Sequence, residues 1–158
     1  GLFPLDYPAT DRERRKTLEL FLPLWKDYVG SPMLPALYGV WAAMAGNRAL
    51  ALKLFEEGYA AYDQPRCHQC LEYRPDHADS QTRAGPSVAN LGGMLLGMLL
   101  GFTGLVIDDG DPSAWPRRPV VLPSGWTAIE VGRLWVRGRP ARLLAEHGAE
   151  RATLEFTG

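Results

Sequence analysis

The run Leu91-Gly92-Gly93-Met94-Leu95-Leu96-Gly97-Met98-Leu99-Leu100-Gly101-Phe102 constrains this chain more than any other segment, because wound as a helix it is apolar around its whole circumference. Pro86 stands at the first-turn position that proline favours, so a buried helix is expected over 87–102. With Thr103 to Ile107 the apolar stretch approaches the length of a membrane span. Its glycines cost helicity, and a buried helix stopped near Gly104, followed by a short strand, is the better reading. Gly97 and Gly101 then read as tight-packing positions. Gly92 and Gly93 divide between packing and a second role, in which backbone N–H groups near the helix start approach a ligand's hydroxyl or an anion.

An all-apolar helix needs cover, and the preceding sequence offers amphipathic helices to supply it. Thr10-Asp11-Arg12-Glu13 has the capping-box pattern and introduces a helix with Leu18, Phe21 and Trp25 on one stripe, which Pro23 should kink or end. The next helix opens at Pro35, places Leu37, Val40, Trp41 and Met44 on one face and stops at Gly46-Asn47. Asn47 can cap a third, in which Leu52, Phe55, Tyr59 and Tyr62 face inward. A turn this short requires the last two helices to run antiparallel.

Periodicity disappears between Asp63 and Gly85, and so long an irregular stretch inside a compact domain is usually functional or disordered. After Ile107 the character changes through the turn-rich Asp108-Asp109-Gly110-Asp111-Pro112. Val120 to Leu122, Thr127 to Val136, Ala141 to Glu146 and Thr153 to Phe156 then read as a small antiparallel sheet of about four strands, which needs something to pack on. The fold class expected is mainly α with a small C-terminal antiparallel β part, divided as 1–107 and 108–158.

Composition narrows the partners. The 158 residues are 46% hydrophobic and 22% charged, which is globular, and a net charge of −1 gives no field for a polyanion or an anionic membrane. No nucleic-acid or membrane partner is expected. Two cysteines three residues apart make no disulfide framework, so a reduced, cytoplasmic interior is the plain reading. Gly1 to Pro8 has neither an initiator Met nor a signal-peptide pattern and reads as a chain entered mid-stream.

A resemblance rests on ordered segments along nearly the whole chain. They are Leu5-Asp6-Tyr7-Pro8, Arg14 to Glu19, Tyr38-Gly39-Val40-Trp41-Ala42 and Leu54 to Tyr59. After the irregular loop come Asn90 to Gly97, Gly101-Phe102-Thr103-Gly104-Leu105, Leu122-Pro123-Ser124-Gly125-Trp126 and Arg133 to Gly138. In this order they resemble the C-terminal part of glycoside hydrolase family 65, which holds acid trehalases, glucosylgalactosyl-hydroxylysine glucosidases and disaccharide phosphorylases. The resemblance implies that residues 1–107 are the last helices of an (α/α)6 toroid and 108–158 a small antiparallel β domain. It also implies an inverting hydrolase of α-glucosides, a small carbohydrate substrate and no cofactor. The missing N-terminal part of the same polypeptide would be a partner. Alone, the fragment is expected to be inactive and to self-associate through uncovered apolar helix faces.

Inversion needs a general acid and a general base on opposite faces of the sugar. In the family's hydrolases the base lies in a Trp-Thr-Glu-Asn stretch before the glycine-rich helix, and Cys70-Leu71-Glu72-Tyr73 takes that place in a somewhat longer loop. The resemblance therefore makes Glu72 the candidate general base, with the acid upstream of residue 1, while Gly92 and Gly93 are substrate-binding candidates through the open donors of a helix start. The alternatives are a disaccharide phosphorylase using inorganic phosphate, for which Arg66, Arg74 and Arg83 could cluster, and a non-catalytic interaction or carbohydrate-binding module. Cys67-His68-Gln69-Cys70 with Asp76, His77 and Asp79 lacks the second ligand pair of a zinc site, so no metal is expected. Trp25, Trp41, Phe55, Tyr59 and Trp135 invite sugar stacking, but Trp41, Phe55 and Tyr59 lie on amphipathic stripes and read as core. Trp126 reads as a pin between sheet and helices.

Overall fold

The computed structural model describes residues 2–5, 7–28, 34–64, 69–72, 74, 76–78 and 85–157. Helix α1 spans Asp11–Phe21, and its capping box is formed: the Thr10 hydroxyl accepts from Glu13 N, while Glu13 Oε2 accepts from Thr10 N at 2.8 Å. Pro23 cannot donate to an α-helical ladder, and from Leu22 to Tyr28 the chain tightens into a 3-10 helix. Helices α2 (Leu34–Met44) and α3 (Arg48–Gly58) follow, joined by Gly46 at φ +78° and by Asn47, whose Oδ1 accepts from Leu50 N at 3.0 Å.

The pair is antiparallel and very close. A Cβ on Gly58 would run into the backbone of Ala36, and one on Gly39 would lie 3.1 Å from Ala51 O. This approach fixes the rotation of α3, whose buried positions are Ala51, Leu54, Phe55 and Gly58. The expected inward stripe led by Leu52 is thus displaced toward the small residues: Leu52 is only half-buried, because Ala51 and Gly58 are what let the two backbones meet.

Helix α4 covers Val88–Leu96 and widens into a π-helical turn over Gly97–Gly101, closed by Phe102 N donating to Gly97 O at 2.9 Å. Gly101 presses on Val40, whose methyl carbons lie 2.6 and 2.7 Å from where a Cβ would stand, and Gly97 is 3.3 Å from the same side chain. Packing therefore accounts for both glycines. The expectation of complete burial is corrected: Val88 is 77% exposed and Leu95 49%, since α2 and α3 cover α4 from one side. Gly104, at φ +74°, ends the segment, and Leu105 bridges Pro116 where a short strand was expected.

The C-terminal sheet has three antiparallel strands in the order β3 (Ala128–Val136), β4 (Arg139–Glu146), β5 (Thr153–Phe156). A two-residue ribbon, β1 (Asp63–Gln64) with β2 (Gln69–Cys70), precedes α4. Val120 to Leu122 is not a fourth strand. Its backbone is shared between two elements, with Val120 N bonded to Ala149 O and Val121 N to Phe102 O, so no continuous ladder forms.

One hydrophobic cluster joins helices and sheet, from Val40, Leu54, Phe55 and Phe102 to Leu122, Ala141 and Leu143. Trp126, two residues ahead of β3, meets the helical side edge-on, with Phe55 at 5.2 Å and Phe102 at 6.0 Å. Arg48 adds a polar bolt at the start of α3: Nε donates to Leu122 O at 2.8 Å, and Nη2 donates to Pro123 O at 3.1 Å and Trp126 O at 3.2 Å.

Candidate functional site

Glu72 follows a firmly anchored segment. Leu71 N donates to Tyr62 O at 3.0 Å, Leu71 bridges Pro86, and Ser87 N donates to Cys70 O at 2.8 Å. Residues 70–72 thereby run between the end of the α3 region and the start of α4. Exposure rises along this piece: Cys70 is buried at 1% exposure, Leu71 is half-buried and Glu72, at a bend, is exposed. Tyr73 lies outside the described residues.

Beneath Glu72 the anchoring is chemical as well as steric. Asn90 is fully buried and its Nδ2 donates to Cys70 Sγ at 2.8 Å. Burial pushes the Cys70 thiol up, opposed by the Asn90 hydrogen bond, so the group is a neutral, free thiol. Ser87 caps α4 by accepting from Asn90 N at 3.3 Å. Asn90 escaped the sequence reading as a site-organising residue. The signal was there, a lone amide at the head of an apolar helix, but its partner lies twenty residues away.

Arg74 is the hub on the other side. It pairs with Glu57 on α3, and its Nε and Nη2 meet Asp76 Oδ1 and Oδ2 at 3.1 and 2.8 Å, with the guanidinium 5.9 Å from the Tyr62 ring centre. The Asp76 hydrogen bonds, then Glu57, raise the Arg74 pKa against the effect of burial. Tyr62 is fully buried, and that burial pushes its phenol up to about 12, tempered by Arg74.

Of the three arginines that could cluster for phosphate under the phosphorylase alternative, Arg74 is thus committed to two carboxylates, while Arg66 and Arg83 lie outside the described residues. Cys67, His68 and Asp79 also lie outside them. Among the described residues no group of three or more His, Cys, Asp or Glu side chains is placed to hold a metal ion.

Gly92 and Gly93 fall in the second turn of α4, one turn beyond the donors a helix start leaves open. What they can offer a ligand is backbone without side chain. Gly92 is exposed, and beyond its chain neighbours and its own helix backbone no described atom lies within 4 Å of where its Cβ would be, so packing gives no reason for a glycine there. Gly93 is buried.

The flagged aromatics divide. Tyr38 and Trp41 meet edge-on at 4.7 Å and Phe55 contacts Tyr59 at 6.3 Å within the helices, while Trp25 lies under Lys53 at 4.8 Å. Trp25 also helps line a cleft of about 580 Å³ between α1 and the α2–α3 turn, with Leu18, Leu22, Met44, Leu50 and Arg14. Trp135 alone of the five stands outward, 62% exposed.

No family model, curated protein or solved structure matches this chain. No helix among the described residues is long and apolar enough to cross a membrane.

Proposed function

We propose that this chain is the C-terminal part of an inverting glycoside hydrolase acting on α-glucosides, with Glu72 as the general base. Residues 1–107 would supply the last helices of an (α/α)6 toroid and 108–158 its small β domain, and the general acid comes from outside these residues. The observation that carries the reading is the setting of Glu72: an exposed carboxylate on a segment pinned by Tyr62, Pro86, Ser87 and Asn90. A general base has to be held still and still reach water. The ordered resemblance of the flanking segments adds the substrate class.

In this mechanism Glu72 takes a proton from a water that attacks the anomeric carbon, while the acid protonates the leaving oxygen from the opposite face. The two carboxyl groups stand about 6.5–9.5 Å apart to admit that water. Gly92, bare and open, lets the sugar approach the helix backbone. No cofactor is needed, because acid and base supply both proton transfers. The commitment of Arg74 to Glu57 and Asp76 weighs against a phosphate-binding arginine cluster, and so favours hydrolysis over phosphorolysis.

The test is Glu72→Gln in the polypeptide that carries the acid. The amide keeps the shape and loses the base, so kcat should fall by about 10²-fold to 10⁴-fold with KM little changed. Turnover within a few-fold of the unmutated enzyme removes Glu72 from the mechanism, and strict dependence on inorganic phosphate replaces the hydrolase by a phosphorylase.

A further inference from the structure

The outward Trp135 is put there by a break in its own strand. On β3 Ile129 and Val131 face the core, and simple alternation would send Arg133 and Trp135 inward after them. The register with β4 shifts between Val131↔Leu143 and Leu134↔Ala141, so one extra residue of β3 is accommodated. Parity reverses at this bulge: Leu134 and Val136 become the inward residues, and Trp135 passes to the open face. Bulges commonly re-aim a side chain in this way.

The indole does not stand alone on that face. The Arg133 guanidinium lies 5.1 Å from its ring centre and restrains it, and Pro140 is its partner across the ladder. Next to the bulge Arg142 donates to Glu130 Oε1 at 2.9 Å and reaches Glu155 Oε2 at 3.8 Å. These two arginines and two glutamates cancel, and the exposed Glu146 farther along the same face of β4 adds one negative charge, so the face has nothing to gather a polyanion, yet it presents both donors and acceptors beside a fixed aromatic plane. The apolar exposure of α1 and α4 is what an incomplete toroid would leave, whereas Trp135 belongs to the sheet's outer face, which the helices do not cover.

We propose that this face, centred on Trp135 with Arg133, Arg142, Glu130 and Glu155, is a surface binding site for a neutral oligosaccharide. One C–H face of a pyranose stacks on the indole and its hydroxyl groups hydrogen-bond to the flanking charged side chains. The site is separate from Glu72 and does not need the catalytic reading to hold.

The test is a titration of the ¹⁵N-labelled chain with maltoheptaose, following the indole N–H signals of its five tryptophans together with the backbone amides of β3 and β4, which still report binding in variants without the Trp135 indole. One stacking contact with a few exposed hydrogen bonds implies a dissociation constant on the order of 1 mM, so the sugar is taken to about 20 mM. The Trp135 signal should shift saturably. Trp135→Ala should weaken binding about ten-fold or more, Trp135→Phe should retain part of it, and Glu72→Gln should leave it unchanged. Because Trp135 is exposed, the alanine variant is expected to keep its circular dichroism spectrum; should it unfold, Arg133→Ala and the phenylalanine variant decide by the same titration. A Trp135 signal that stays put, binding undiminished in Trp135→Ala, binding lost in Glu72→Gln, or a preference for heparin over the neutral glucan each overturns the proposal.

Discussion

Tyr62, Arg74, Cys70 and Asn90 show how much of this region is decided by single buried contacts. The phenol of Tyr62 is buried beside the Arg74, Glu57 and Asp76 cluster, and its pKa, raised by that burial, has a consequence for stability. Its neutral form is favoured in the folded state, so that contribution is full below the ordinary value of 10.0 and is lost as pH rises through about 12. An ultraviolet titration of the six tyrosines should accordingly show one phenolate forming last, near pH 12, together with the onset of alkaline unfolding. If all six ionise together near 10, the burial account of Tyr62 fails. None of these partnerships is legible in the sequence, where Arg74 is one of three arginines that could cluster for phosphate and Cys70 is half of a possible ligand pair. Glu57 and Asn90, which settle their roles, are brought to them by the fold and not by spacing. Glu72 itself became a candidate through resemblance alone, since an acidic residue in a polar loop carries no signature of its own.

At the level of elements, caps and periodicities were legible and rotations were not. The Thr10 box, the Pro23 break, the Asn47 cap and the Gly104 stop lie where local chemistry puts them. The inward face of α3 turned on the near contacts of Gly58 with Ala36 on α2 and of Gly39 on α2 with Ala51, which depend on both helices at once. The glycines of α4 can be separated by experiment. Gly101→Ala should destabilise by about 1–3 kcal/mol, because Val40 occupies the space. Gly92→Ala should instead stabilise by up to about 1 kcal/mol, as a helix interior with open surroundings prefers alanine. Urea melts of the two variants check the contrast, and equal effects would mean that α4 packs differently. The three-stranded sheet was foreseen except at Val120–Leu122, where an extended sequence serves as a seam between sheet and helices, and at the bulge, whose parity change no alternation rule predicts.

For the whole molecule, the joining of helices to sheet rests on Trp126 and Arg48. Losing three charge-assisted contacts to buried carbonyls, Arg48→Ala should cost about 2–4 kcal/mol in a denaturation experiment, and a loss within error would show that the apolar seam suffices. Outward apolar side chains gather on the helical part, with Leu5 79%, Tyr7 66%, Leu20 66% and Phe21 46% exposed. Surfaces of this kind seek a cover, so light scattering at micromolar concentrations should report self-association, and a monomer that binds no apolar dye would contradict the fragment reading. We propose inversion at an α-glucoside with Glu72 as base. Its most direct measurement is proton NMR of the sugar released by the acid-bearing polypeptide, recorded before mutarotation: the β-anomer should appear first and its formation should collapse in Glu72→Gln, whereas an initial α-anomer, or a β-anomer formed as fast by the variant, would contradict the account.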